Sequence, residues 1–287
     1  MIDPFQMLYD KLTEQAHEEA RHFRMPGLRF TASGAADCPW RTWYSLSGYR
    51  PAPDTPQSML YKTQGNADHD LVRQMFVHFG VPIKGITVKE DGDVVEDLSA
   101  DREFEVLMPD GTMETVRLVA RIDGLIDVEG GEAVFEFKTM SRFVHEWLQK
   151  SVTAGTEQHR LRAKHKSYMW QMTICMALFN RQFAYLGPKS RDNLEHGFIY
   201  PDGVRRGIVI EYDPVLFQEI LQHLAQTKRQ VMKGEPPPIA MRSYKKSGFC
   251  GFCQYRYRCW DADERRDRGE EPAVVYPGPE TGVQNDE

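Results

Sequence analysis

The sequence predicts an α/β protein, a mixed sheet flanked by helices, on three observations. Apolar residues recur at helical spacing near both ends. Between about 81 and 139 the pattern changes to short β-rich runs separated by Asp91-Gly92, Asp110-Gly111 and Gly130-Gly131, dipeptides that favour hairpin turns. A long helical stretch, a broken strand pair and another helix follow, an order that places helices against a sheet.

Residues 3–24 read as a polar, His-containing helix. Thr31 and Ser33 offer helix-capping oxygens before a short segment through Cys38 to Tyr44. Pro51, Pro53 and Pro56 mark a loop. Residues 65–79 form an amphipathic helix with Leu71, Val72, Met75, Phe76 and Phe79 along one side. Thr115–Val128 and Ala133–Thr139 read as adjacent antiparallel strands, followed by helices over 142–150 and 158–181. Phe183–Leu186 and Gly197–Tyr212 are further strands, the second interrupted at Asp202-Gly203. Residues 214–233 make the next helix, and Pro236-Pro237-Pro238 stops it. There is no internal repeat.

The composition is 41% hydrophobic and 27% charged, which excludes a collagen-like or largely disordered chain. No run of 18 apolar residues occurs, so no membrane partner is expected. The first 30 residues lack a secretory apolar stretch, and a cytoplasmic location is the default expectation. The net charge of −6 is unevenly placed. Residues 261–287 hold nine acidic and three basic groups, leaving 33 of each in the rest. That Gly-, Pro- and Glu-rich end reads as an acidic disordered tail.

Two constellations carry chemistry. Glu136, Phe137 and Lys138 lie on a strand, where alternation puts Glu136 and Lys138 on one face and Phe135 and Phe137 on the other. Asp123, across the Gly-Gly turn, can sit beside Glu136. Two carboxylates with a lysine suit a hard divalent cation such as Mg²⁺ or Mn²⁺, although Glu-x-Lys also occurs as a plain surface ion pair. His69 shares the inward side of its helix with Val72 and Phe76. Gln171 is polar on an apolar face with Tyr168, Cys175 and Leu178, where a buried amide needs partners.

The second constellation is Cys250, Cys253 and Cys259 in one short stretch. Cys38, in a polar segment, is the better fourth thiolate, because Cys175 sits in an apolar helix. Four thiolates suit zinc or an iron–sulfur cluster, and spacing alone leaves both open.

With these residues in place, the sequence resembles the PD-(D/E)xK nucleases of the RecB/AddB type. The resemblance is to the iron–sulfur branch that includes CRISPR-associated Cas4-type exonucleases and phage relatives. The motifs fall in family order: Ser33 with Cys38-Pro39-Trp40-Arg41, Gly65 to His69, Arg121-Ile122-Asp123-Gly124, Glu136 to Lys138, Gln171, and the Cys250/Cys253/Cys259 frame. The match covers about 28–260. Cys175 replaces the tyrosine that usually follows the glutamine by four, and Ile122 stands in place of the family's proline.

The resemblance implies a restriction-endonuclease-like core with a [4Fe-4S] staple. One nuclease domain over 1–262 follows, with its catalytic core at 64–212, a helical iron–sulfur region at 28–63 and 236–262, and the tail at 263–287. It implies a DNA exonuclease in which His69, Asp123, Glu136 and the Phe137 carbonyl bind Mn²⁺ or Mg²⁺. Lys138 supports the attacking water, and Gln171 contacts nucleic acid or orients the lysine. Cys38, Cys250, Cys253 and Cys259 hold the cluster. The partners implied are DNA and a recombination, helicase or CRISPR protein, and the sequence does not give the oligomeric state. Two basic runs add hints of their own. Arg160, Arg162, Lys164, His165 and Lys166 lead into the Gln171 helix, with Lys150 ahead of them. Arg242, Lys245, Lys246, Arg256 and Arg258 interleave with Tyr244, Phe249, Phe252, Tyr255, Tyr257 and Trp260. Cations with stacking rings suit single-stranded DNA. The alternatives are a non-degradative factor that binds DNA ends, or a nuclease stapled by zinc.

Overall fold

A computed structural model describes residues 4–22, 27–89, 94–96, 98–192, 195–238, 250 and 252–261. Two compact units emerge. One holds 29–36 and 65–225, and the other the described residues of 1–28, 37–64 and 226–287. The chain order is α1 (Pro4–Arg21), β1 (Arg29–Thr31), α2 (Pro39–Leu46), α3 (Pro56–His78), β2 (Ile86–Val88) and β3 (Val94–Glu96). Next come β4 (Ser99–Leu107), β5 (Met113–Arg121), β6 (Gly124–Val128), β7 (Gly131–Met140), α4 (Arg142–Thr153), α5 (Glu157–Lys164) and α6 (Lys166–Phe179). The chain continues through β8 (Phe183–Ser190), β9 (Phe198–Ile199), β10 (Arg205–Arg206), β11 (Ile208–Glu211), α7 (Pro214–Lys233) and a π-helical turn, Tyr257–Asp261.

The first unit is built on a four-stranded mixed sheet in the order β11-β8-β7-β6. β7 runs parallel to β8, with Glu136 opposite Leu186, and antiparallel to β6. As a central strand β7 is buried on both faces from Ala133 to Phe137. Val72 of α3 packs with Phe135 and Phe137 on one face. α6 covers β7 and β8, and packs against β4 and β5 as well. α6 is apolar around its circumference, with Met169 to Met176 buried, as a helix between layers must be. Asn180 ends it in the left-handed conformation, φ 52°. A second sheet, β1-β5-β4, has β1 parallel to β5.

In the other unit, Trp40, Trp43, Tyr44, Tyr255 and Cys259 form a buried cluster against which Cys38, Cys253 and Trp260 pack. Leu12 and Ala16 of α1 pack on Met59.

The mixed sheet flanked by helices matches the predicted fold class, and five details differ. The helix read over 158–181 is two, α5 and α6, parted at His165. The segment read as one strand, Thr115–Val128, is two strands in two different sheets. The break falls at Ile122-Asp123, just before Gly124, whose φ is +157° and where a Cβ would come within 2.6 Å of the Ile83 side chain. The helix expected from 65 begins at Pro56, because proline suits the first helical turn and Thr55 Oγ1 accepts the Ser58 N–H at 3.2 Å. Its apolar side is only partly covered: Val72 is buried, while Leu71, Met75 and Phe79 are exposed. Gly197–Tyr212 resolves into three short strands. The predicted turn at Asp91-Gly92, the basic and aromatic residues Arg242, Tyr244, Lys245, Lys246 and Phe249, and the acidic tail from residue 262 lie outside the described residues.

Candidate active site

The break between β5 and β6 sets Asp123 beside β7. Its Oδ2 accepts the Phe137 backbone N–H at 2.7 Å, and its Oδ1 lies 2.9 Å from His69 Nδ1. β7 alternation puts Glu136 and Lys138 on the α6 side. Lys138 Nζ donates to Glu136 Oε1 at 2.5 Å, and Gln171 Nε2 donates to the same oxygen at 2.6 Å. Glu136, Asp123 and Gln171 are all buried. The structure therefore brings together the five side chains that sequence reasoning selected.

Burial pushes the Glu136 carboxyl up; Lys138 pulls it back and the Asp123 charge adds to the rise. For Lys138, burial pulls the ammonium down, but the charge and hydrogen bond of Glu136 outweigh it and the net direction is up. The two buried carboxylates are thus close enough for the Asp123 charge to raise the Glu136 carboxyl.

Sequence reasoning missed three neighbours. Arg73 Nη2 lies 3.6 Å from Asp123 Oδ1, and its Nη1 bridges to Asp70 at 2.7 Å. It follows His69 by four, and that spacing was the available signal. Asp68, buried, takes the Thr139 hydroxyl at 2.9 Å and pairs with buried Lys189. No local pattern announces that pair, since its members are 121 residues apart. Tyr168 lies one turn before Gln171 and interacts electrostatically with Lys138. Cys175 is buried, and burial pushes its thiol well up, as befits a packing residue.

The donor types, one imidazole, two carboxylates and a backbone carbonyl, suit Mg²⁺ or Mn²⁺. They are not arranged as a ready ligand shell. Among the described residues no group of three or more His, Cys, Asp or Glu side chains is so placed. His69 and Asp123 bond to each other, and Glu136 is held by Lys138 and Gln171.

In the other unit Cys38, Cys250, Cys253 and Cys259 line one small cavity, all unbridged, with Trp40, Tyr44 and Tyr255 around it. Burial raises the Cys253 thiol, and Cys38 and Cys250 lie close enough to add to the rise. By residue type four cysteines suit a four-thiolate centre, but among the described residues they are not placed as a ready ligand shell. Tyr255, expected to offer a stacking face to DNA, is instead 4% exposed, and its ring stacks on Tyr44 at 5.5 Å. Arg256 is exposed and lines the same cavity.

The other basic run is largely engaged by the protein itself. Arg160 lies over Trp147, Arg162 pairs with Asp213 at 2.6 Å, and Lys166 sits 3.9 Å over the Trp170 ring. Lys164 is exposed. Among the described residues no helix is long and apolar enough to cross a membrane.

Residues 83–260 match the PD-(D/E)XK nuclease superfamily. No curated protein matches the chain. Among solved structures it is similar to SSO0001, at 14% identity over 88% of this chain and 95% of that one, with a TM-score of 0.45. It is also similar to the alkaline exonuclease LHK-Exo from Laribacter hongkongensis, at 19% identity over 76% of this chain and 93% of that one, with a TM-score of 0.40. For LHK-Exo in complex with dAMP the identity is 18% over 72% and 89%, with a TM-score of 0.41.

Proposed function

The chain belongs to the PD-(D/E)XK nuclease superfamily, and on that premise we propose that it is a metal-dependent DNA exonuclease. Its reaction is hydrolysis of phosphodiester bonds in single-stranded DNA or at duplex ends. The observation that carries this is the convergence of His69, Asp123, Glu136 and Lys138 on one buried spot, achieved by breaking a strand at Asp123.

His69, Asp123, Glu136 and the Phe137 carbonyl would hold Mg²⁺ or Mn²⁺. Such a cation, when bound, polarises a phosphate and lowers the pKa of a water. Asp123 is oriented by the Phe137 N–H, and Glu136 by Gln171. Lys138 Nζ, next to Glu136, orients the attacking water or donates to the phosphate oxygens. Gly65 supports close approach of substrate. A helical glycine costs about 1 kcal/mol relative to alanine, yet a Cβ there would meet nothing within the protein.

Arg160, Arg162, Lys164, Lys166 and Arg256 are our candidates for phosphate contact. Cys38, Cys250, Cys253 and Cys259 are our candidates for a [4Fe-4S] staple. The settings we infer are recombination, repair, phage DNA metabolism or CRISPR spacer processing in the cytoplasm, with a helicase or other protein partner supplying any unwinding.

The test is an anaerobic assay on end-labelled single- and double-stranded DNA with Mn²⁺ or Mg²⁺. Wild type degrades DNA, and Lys138→Ala lowers the rate by at least about a hundredfold, in line with loss of a preorganised donor. Retained activity in Lys138→Ala overturns the site. Tight DNA binding without cleavage by wild type in either metal overturns the enzyme reading in favour of an end-binding factor.

A further inference from the structure

A cavity of about 460 Å³ opens on the face of β7 opposite Glu136 and Lys138. We propose that it is a nucleobase pocket, taking one unstacked base of the DNA strand beside the attacked phosphate. The proposal deepens the nuclease reading and rests on it.

Size and walls come first. The volume falls within the roughly 300–1,000 Å³ typical of small-molecule sites. Its walls are rings from three elements. Phe76 of α3 lies 5.4 Å from Phe135 of β7, and Phe135 lies 6.1 Å from Tyr185 of β8. Gly187 keeps the space open, since a Cβ there would come within 2.9 Å of the Phe135 ring. At the mouth Phe79 is 70% exposed, an apolar ring left in water with room for a flat partner.

The charge at the rim narrows the occupant. Arg205 lines the cavity and is exposed. Its Nη1 donates to the carbonyls of His196 and Gly197, at 2.8 and 3.4 Å. Among the described residues no carboxylate lies within ion-pair distance of it. A cation fixed by neutral carbonyls and left without a counter-charge fits an anion. Arg206, next to it, is already paired with Asp202 at 2.8 Å. An aromatic wall with an arginine at the mouth matches a nucleotide, with the base against the rings and a backbone phosphate at the arginine.

Position ties the pocket to the chemistry. Phe137 belongs to both places: its ring lines the cavity, and its N–H holds Asp123. The His69 ring meets the Phe137 ring edge-on at 5.3 Å. Phe137 thus borders both the pocket and the His69–Asp123 pair, the side of the site from which the strand would reach the pocket.

Abasic scanning tests this. A single abasic residue is moved along a single-stranded substrate, and cleavage is compared between wild type and Phe76→Leu, which keeps bulk but removes the ring. The expected result is one position, next to the cut, at which the abasic strand is cleaved about tenfold more slowly by wild type, the scale of one stacked base. Phe76→Leu, checked for an unchanged melting curve, cleaves intact and abasic strands at equal rates. Wild-type indifference to the lesion at every position overturns the proposal.

If the chain cleaves no DNA, the nuclease reading fails, and binding then reads the pocket alone. Oligonucleotides carrying 2-aminopurine at each position in turn should show quenching at one position, lost in Phe76→Leu and weakened in Arg205→Gln. No quenching, or quenching alike at all positions, overturns the pocket. So does displacement by an acidic aromatic peptide with no response to DNA, which would assign the surface to a protein.

Discussion

Glu136 Oε1 accepts two hydrogen bonds, one from Lys138 and one from Gln171. The two donors differ in kind: the lysine brings charge to the reaction, while the amide fixes where the carboxylate points. Removing the amide should therefore act on metal use and turnover rather than on DNA affinity. We predict that Gln171→Ala lowers kcat by about 10–100-fold, the usual scale for losing an outer partner of a metal ligand. The Mn²⁺ concentration needed for half-maximal activity should rise, with KM for DNA unchanged. A raised KM at constant kcat would instead make Gln171 a DNA contact. At this scale the sequence was informative wherever local geometry decides. Strand alternation foretold the shared face of Glu136 and Lys138, and helical spacing foretold the inward side of His69. It was silent on Asp68, because its role depends on which distant residues fold back against α3.

Among the elements, the join of α3 to the sheet has its own fastener. Asp68 precedes His69 and Thr139 follows Lys138, so the contact of Asp68 with Thr139 and Lys189 ties α3 to β7 and β8, one residue away from the site on α3 and on β7. Both charged members are buried. Removing only the lysine leaves a buried carboxylate unpaired, which costs about 3–5 kcal/mol. Lys189→Ala should accordingly lower the melting temperature by roughly 6–20 °C, on the roughly 2–4 °C per kcal/mol expected at this size. Lys189→Met with Asp68→Leu, which removes both charges, should recover most of that loss. A full loss in the double variant would show that packing, not the pair, holds the join. Element type was legible from periodicity, and element ends were not. Thr115–Val128 reads as one strand only if Asp123-Gly124 is passed over, although an Asp-Gly dipeptide is itself a strand breaker. The close approach of Ile83 to Gly124 is the tertiary half of the reason for the break. The exposed Phe79 likewise follows no helical rule, since the pattern sees an apolar stripe and not the cavity it borders.

For the whole molecule, cysteines from both ends of the sequence line one cavity in one unit, with an aromatic cluster packed around them. That grouping was legible as spacing, because three cysteines within ten residues need a common partner. The choice of Cys38 over Cys175 was legible as polarity. Which group these cysteines would hold was not, because thiolate spacing leaves zinc and iron–sulfur equally open. A group that closes a loop of this length acts on folding, since binding free energy becomes folding free energy when the site forms only in the folded chain. On the proposed iron–sulfur reading, anaerobically purified protein should carry iron and acid-labile sulfide in equal amounts. Cys253→Ser should lose both and lower the melting temperature, while Lys138→Ala keeps the iron and loses cleavage. Iron retained in Cys253→Ser would remove that cysteine from the ligand set. Zinc without sulfide in the wild-type protein would leave the staple in place and change its chemistry to that of a closed tetrahedral site.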